Sequence, residues 1–325
     1  MSDVNMDLIQ GGHGAGDVAV RLMQSNFNVN ALRPMTLLRK EEWLQYDQTL
    51  IEVARERLNG IADLRNAGLT YNLPNALGKT QLEWEKVSDM EGAQTSMAGV
   101  TEGQNDRIDF SMDSMPIPIV HKQFNLNIRA LHASRTTGEP LDTTQAAYSA
   151  RKVMEALEST LFLGTTVLGS NKPLYGYTTF PQRNTGSVTA DWSTATGAQI
   201  LADVIRMINV AHGDHMYGPF TLYVPLAAYV NMANDFKAES DKTIMQRLLE
   251  VPGISAIKSA EQLTGTNVVM VQMSRDVVDL VNGIQPTTIQ WSSGDGMVQH
   301  FKIIAIMPPR FKSDYNGQCG IVHFS

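Results

Sequence analysis

Four patterns in this 325-residue chain have residue types and spacings that could do chemistry. Glu155 and Glu158 stand one helical turn apart, where paired carboxylates can divide the work of a general acid and a general base. Arg151 and Lys152, one turn earlier, turn that same face into a solvated ion-pair ladder instead. His212 and His215 flank Gly213-Asp214 at a helix end and could offer two imidazoles to a metal, although helix-end turn chemistry explains the same residues. Gly78-Lys79-Thr80 ends like a phosphate loop. Five positions before Gly78 stands Leu73, followed by Pro74, so no cradle of backbone amides can be inferred. Gly12, Gly14 and Gly16 alternate in GGHGAG, but they follow no strand and miss the dinucleotide spacing. His13, His121, His132, His300 and His323 form no ligand spacing. Cys319 is the single cysteine, which permits neither an intramolecular disulfide nor a cysteine-rich zinc site. The expectation is a chain that is not an enzyme, with no catalytic, cofactor-binding or metal-ligating residue and no cofactor.

Composition narrows the class further. An apolar content of 43% with 18% charged residues fits a soluble, folded chain rather than a disordered one. With 26 basic residues scattered among 33 acidic ones and a net charge of −7, a dedicated nucleic-acid binder is not expected. Phosphate neutralisation needs clustered Lys and Arg. No apolar run approaches the ~20 residues that span a bilayer, and the opening MSDVNMDLIQGGHGAG has neither the basic start nor the apolar core of a signal peptide. A length of 325 residues allows about two domains.

The elements that must position any function are clearer than the chemistry. Residues 1–35 carry no sustained period and read as an arm. From Arg39 to about Ala67, Trp43, Tyr46, Leu50, Val53, Ala54, Leu58 and Ile61 hold a helical stripe, ended by Gly68. Residues 82–115 have strand-like ends and a Gly/Ser/Thr/Asn centre, with too few large apolar residues for a core. They predict a long two-stranded excursion, and because a lone hairpin is marginal in water, a neighbouring subunit is the simplest support. PIPIVHKQFNLNIRALHASR then alternates as a half-buried strand, Phe124, Leu126, Ile128 and Ala130 on one face and Gln123, Asn125, Asn127 and Arg129 on the other. A long helix follows, with Asp142 and Gln145 as its capping box. Ala146, Ala150, Val153, Met154, Leu157 and Leu161 form its apolar stripe, Arg151 and Glu155 a surface pair, and Gly164 its stop, about 22 residues and roughly 33 Å on.

The rest reads as α/β. Thr196 and Gln199 predict a capping box for a helix stopped at Gly213. Phe220–Val224 is a buried strand, Pro225 opens a helix through Phe236, and another helix runs from about Asp241 to Glu250. Strands are expected in NVVMVQM, DVVDLVN and TTIQW, from Val298 to Met307, and in GQCGIVHFS.

The order of these elements resembles the tailed-phage major capsid proteins with the HK97-type fold, with the flavour of the encapsulin shell proteins. LLRKEEWLQYDQTLIEVARERLNGIADL, the stretch from PIPIV to TLFLG, PFTLYVPLAAYVNMAN and VQHFKIIAIMPPRF carry the likeness, which spans roughly residues 36–325. It implies an α+β capsid fold. Residues 1–35 would be the N-terminal arm, 36–81 the first part of the peripheral domain, 82–120 the E-loop, and 121–190 the peripheral domain with its spine helix. Residues 191–285 would be the axial domain and 286–325 the strands returning to the peripheral domain. The implied function is a major capsid protein self-assembling, as pentamers and hexamers, into an icosahedral shell around a double-stranded DNA genome. A scaffolding protein and a portal are the implied partners, a decoration protein an option, with packaged DNA touched non-specifically and no membrane. The implied location is the virion, after assembly in the host bacterial cytoplasm. Encapsulins lack the 35-residue leading arm, which tilts the reading to the virion. An encapsulin-type compartment holding enzyme cargo is the alternative and a soluble α/β enzyme the third reading. Lys86, the one lysine inside the loop, is the candidate for the covalent cross-link that the family permits.

Overall fold

The computed structural model describes residues 48, 59–88, 108–129, 136, 143–237, 242–293 and 297–325. They fall into two units. Of the first predicted helix, the described residues are Gln48, which is helical, and α1 (Asn59–Asn66). Its end follows from Gly68, whose φ of +70° is open to glycine without a Cβ penalty. Leu69 N–H then reaches Leu64 O (2.8 Å) and Gly68 N–H reaches Arg65 O (3.0 Å), the paired bonds of a Schellman cap.

One unit comprises residues 1–58, 119–156 and 284–305. Its described sheet has the order β10 (Ile284–Ser292), β11 (Val298–Ile306), β4 (Val120–Asn127). β4 and β11 run antiparallel, with Phe124 opposite Phe301. Their rings stack at 5.1 Å on the buried face, a cross-strand pair of the kind that fixes register. The predicted alternation holds along β4, since Phe124 and Ile128 are buried while Gln123, Asn125, Asn127 and Arg129 are exposed. The strand stops earlier than its sequence suggests. Asn127 Oδ1 accepts the N–H of Arg129 at 2.9 Å, and Ile128 and Arg129 are already helical. This side-chain turn competes with the ladder for the backbone. Ala130 lies outside the described residues.

Residues 144–163 form one long helix, α2 (Thr144–Leu163). All six residues of the expected stripe are buried, from Ala146 to Leu161. Arg151 Nε and Lys152 Nζ each lie 2.7 Å from a Glu155 oxygen. Those two cations, Lys152 first, hold the Glu155 carboxyl below its ordinary range. Gln145 is in the first turn, whereas its proposed capping partner Asp142 lies outside the described residues.

The second unit comprises residues 59–118, 157–283 and 306–325. Its main sheet has the order β5 (Asn184–Gly186), β13 (Ile321–Phe324), β8 (Val268–Gln272), β6 (Phe220–Val224), β7 (Ile254–Ser259). β6 is buried on both faces, as a central strand should be. Against it packs α3 (Gly197–Gly213) through Ile200, Val204, Met207, Ile208 and Ala211. Gln199 caps that helix as its spacing predicts, accepting from Thr196 N–H at 2.9 Å. Gly213 is its last residue, but the left-handed turn falls two residues later, on His215 with φ of +59°.

Two helices are shorter than expected. α4 (Leu226–Asn231) ends five residues before Phe236. Asn231 Nδ2 bonds Trp192 O and Ala195 O, while Phe236 N–H turns to Lys242 O, so the chain doubles back. α5 (Ile244–Leu249) starts at the Thr243 cap, whose hydroxyl accepts Gln246 N–H, rather than at Asp241. The helical pair α4 and α5 carries the chain from β6 over to β7, a parallel strand. The sequence reading missed β7 altogether. A second, three-stranded sheet has the order β1 (Thr70–Asn72), β9 (Val278–Asn282), β12 (Pro309–Phe311).

Candidate functional site

The predicted excursion begins as a hairpin. β2 (Gln81–Val87) pairs antiparallel with β3 (Phe110–Pro116), from Gln81 opposite Pro116 to Val87 opposite Phe110. Ser88 N–H extends the ladder to Asp109 O, and residues 89–107 lie outside the described residues. Because strand side chains alternate, the register sorts the hairpin into two faces. Leu82, Trp84, Lys86, Asp113 and Met115 share the inner one. Glu83, Glu85, Val87, Phe110 and Met112 share the outer one. The faces differ sharply in burial. Leu82 and Met115 are 8% and 7% exposed, against 66% for Phe110 and 63% for Met112.

The inner face is tied down by charge as well as by packing. Lys86 Nζ sits 3.0 Å from Asp113 Oδ2 and 3.0 Å from Ser313 Oγ. Below it, Arg310 meets Asp279 with a fork of two bonds, Nε to Oδ1 at 2.8 Å, while Lys312 adds a third contact at 2.8 Å. The guanidinium also lies over the rings of Tyr71 (4.5 Å) and Trp84 (5.6 Å). A buried arginine needs this planar pairing. Lys86 is therefore engaged within its own subunit in this conformation, so the cross-link candidate already has two polar partners.

The second functional element is the C-terminal end of α2. A helix leaves its last carbonyls without intrahelical partners. Here Tyr177 N–H donates to Leu161 O at 2.9 Å, Thr178 N–H and Oγ1 both donate to Phe162 O at 2.9 Å, and Thr179 Oγ1 donates to Leu163 O at 3.1 Å. Gly164, with φ of +72°, and Gly176 let the two backbones meet. A Cβ on Gly164 would lie 2.6 Å from Leu174 O. The Tyr175-Gly176-Tyr177 turn is thus the helix's cap.

Glu158 departs from its sequence reading. It does not share a solvated face with Glu155, being 7% exposed. Its carboxylate accepts the N–H of Gly60 at 2.6 Å and of Ile61 at 3.4 Å, pinning α1 to α2 across 98 positions of sequence. A close approach makes this possible, since a Cβ on Gly60 would lie 2.9 Å from Leu161 Cδ2. Burial pushes the Glu158 carboxyl up to about 7, against the opposing pull of those two N–H groups, and Asp63 adds to the rise. Nearby, Asp63 receives Tyr223 Oη at 2.9 Å and pairs with Lys258. Tyr177 Oη is buried without a partner among the described residues. Burial raises the phenols of both tyrosines. The cluster is a packed joint with Phe162 at its centre, 5.2 Å from the Tyr223 ring.

The other candidate residues do not converge. His212, in the last turn of α3, and His215, on the turn after it, are both exposed, and His215 N–H bonds His212 O at 3.0 Å. Lys79 is extended and leads directly into β2, so no helix follows the Gly78-Lys79-Thr80 segment. Gly12, Gly14 and Gly16 lie outside the described residues. His323 accepts from Arg183 at Nδ1 (3.3 Å) and lies 3.0 Å from Asn267 Oδ1 at Nε2. Burial first, and then Arg183, lower it to about 4. Cys319 is buried, which raises its thiol to about 12. Among the described residues no three His, Cys, Asp or Glu side chains are grouped to hold a metal ion. No described helix is long and apolar enough to cross a membrane.

A hairpin excursion, a long spine helix, a compact α/β unit and strands returning to the hairpin's foot together make the HK97-type capsid fold. The virus-like particle of Pyrococcus furiosus shares it with a TM-score of 0.64 at 15% identity, over 88% of this chain and 99% of that one. So does the capsid of the myovirus XM1, with a TM-score of 0.58 at 10% identity, over 76% of this chain and 85% of that one. By sequence the chain belongs to the family described as a family of unknown function, DUF6260, whose model matches residues 30–324. It is also 26% identical over 249 residues to the type 1 encapsulin shell protein EncA of Myxococcus xanthus, covering 75% of this chain and 79% of that protein.

Proposed function

We propose that this chain is the major capsid protein of a tailed phage, whose copies assemble as pentamers and hexamers into an icosahedral shell around double-stranded DNA. The observation that carries the shell-building role is the two-faced hairpin. Its inner face is fixed by Lys86, Asp113 and Ser313 within the subunit, while Phe110 and Met112 stay largely exposed on the outer face. Exposed apolar surface of this kind, rimmed by Glu83 and Glu85, marks a protein–protein contact. A second copy of the chain is the partner that the fold supports. Many such contacts of modest area, repeated over a closed surface, hold a shell while each stays reversible. In this reading residues 82–120 are the E-loop, residues 191–285 the axial domain, and the role is structural, without catalysis. A separate scaffolding protein and a portal would complete the particle in the host cytoplasm.

An encapsulin-type compartment is the second reading, favoured by the likeness to EncA. The reading of residues 1–35 as an arm, a feature that encapsulin shells lack, favours the virion. Electron microscopy of the purified protein, followed by extraction of the particle contents, separates the readings. The phage reading expects closed shells that, recovered from infected or induced cells, carry double-stranded DNA. Shells filled with a single enzyme species would establish the compartment instead, and a small soluble oligomer would exclude both.

A further inference from the structure

At the foot of the hairpin, within the larger unit, lies a cavity of about 200 Å³ that the shell-building role does not use. Its walls are the rings of Trp84, Tyr175, Phe180 and Phe311, with three prolines and Met115. Phe180 sits between Tyr175 (6.2 Å, edge-on) and Phe311 (5.8 Å). Such walls favour a flat, apolar body through offset or edge contacts. The charges at the rim are unequal. Asp113 is already neutralised by Lys86 at 3.0 Å. The Lys172 ammonium, by contrast, meets only the Ser114 hydroxyl, its Nζ 2.7 Å from Oγ, with no carboxylate within ion-pair distance among the described residues. One uncompensated ammonium therefore stands over a ring-lined cavity, in a chain whose net charge is −7. A ring-walled pocket with a few directed polar groups, here Asp113, Ser114, Lys172 and Gln182, is an ordinary form of a small-molecule site. The volume lies below the roughly 300 Å³ at which drug-sized ligands begin, so one or two fused rings fill it.

We propose that this cavity binds a small aromatic carboxylate, its rings among Trp84, Tyr175, Phe180 and Phe311 and its anionic end on Lys172. The ligand would wedge β2 and β3 against the 172–182 loop. It would thereby stiffen the hairpin at its root. The site stands independently of what the shell contains.

The test uses the full chain, both as assembled particles and as dissociated subunits, with indole-3-acetate as the probe and indole-3-acetamide as its uncharged counterpart. Titration calorimetry or ligand-observed magnetic resonance should show saturable binding of the acid in both forms, about tenfold tighter than the amide, as one charge-assisted bond allows. Lys172→Met should bring the acid down to the amide's affinity, and Lys172→Arg should keep the preference. Lys172 is exposed, so neither change threatens folding. The proposal fails if wild-type protein shows no saturable binding, if Lys172→Met leaves the preference intact, or if only dissociated subunits bind. The last result would mean that a neighbouring chain fills the cavity.

Discussion

The end of the spine helix and the outer face of the hairpin stand at opposite extremes of self-sufficiency. Around Leu161 the carbonyls of α2 are capped by residues 177–179, Glu158 closes the N–H groups of α1, and Leu161 itself has no exposed surface. On the hairpin, by contrast, Val87, Phe110 and Met112 form an apolar strip at 48%, 66% and 63% exposure. The difference teaches where the free energy of each process resides. A joint whose helix ends are capped from within the same unit stabilises the subunit, while the exposed strip contributes nothing until another surface covers it.

The largest break in that comparison is Leu161→Asp. It leaves a charge without a partner in a packed joint, at a cost of several kcal/mol that approaches the whole stability of a domain. No soluble folded protein is expected, and its recovery at wild-type yield, judged by circular dichroism and particle yield, would remove α2 from its central place.

Glu158→Gln sharpens the joint's electrostatics. The folded carboxyl, raised to about 7 from its ordinary 4.5, keeps a proton that the unfolded chain has released between those values. Its contribution is therefore fully present below about pH 4.5 and is lost as pH rises through about 7, on the order of 3 kcal/mol. Denaturant melts from pH 4.5 to 7.5 should show wild type losing stability relative to Glu158→Gln as pH rises. A difference independent of pH would mean that the burial of Glu158 has been misjudged. His323, lowered to about 4, acts in the opposite sense, its contribution being present above about pH 6.5 and lost as pH falls through about 4. Subtracting the two melts cancels it.

The smallest effect is Tyr177→Phe. The hydroxyl is buried without a partner among the described residues, so removing it should leave stability unchanged or raise it by up to about 1 kcal/mol. A loss of more than that in a chemical melt would reveal a bond that the joint depends on.

These regions were unequally legible in the sequence. The stripe from Ala146 to Leu161, the Arg151–Glu155 pair and the stop at Gly164 are local and periodic, and each is where its spacing places it. Glu158 was misread because its partners, Gly60 and Ile61, are nearly a hundred residues away and donate through backbone rather than side chains. The signal available was Gly60, which is costly in a helix interior and hence a hint of close approach. β7 was missed because ISAIKS is short and its burial does not alternate. Its place depends on parallel pairing with β6, established only after the intervening helices fold. The early end of α4 depends likewise on Asn231 reaching Trp192 and Ala195. The two-faced character of the hairpin needed the register of β2 on β3, which composition alone does not set.

The separation of folding from assembly is tested most directly by Phe110→Glu with Met112→Glu, melted as subunits and imaged by electron microscopy after purification. Both side chains face outward, so the double variant should melt within about 0.5 kcal/mol of wild type, as surface substitutions do. It should nevertheless form no closed shells. Shells at wild-type yield, or a subunit that no longer folds, would contradict the account.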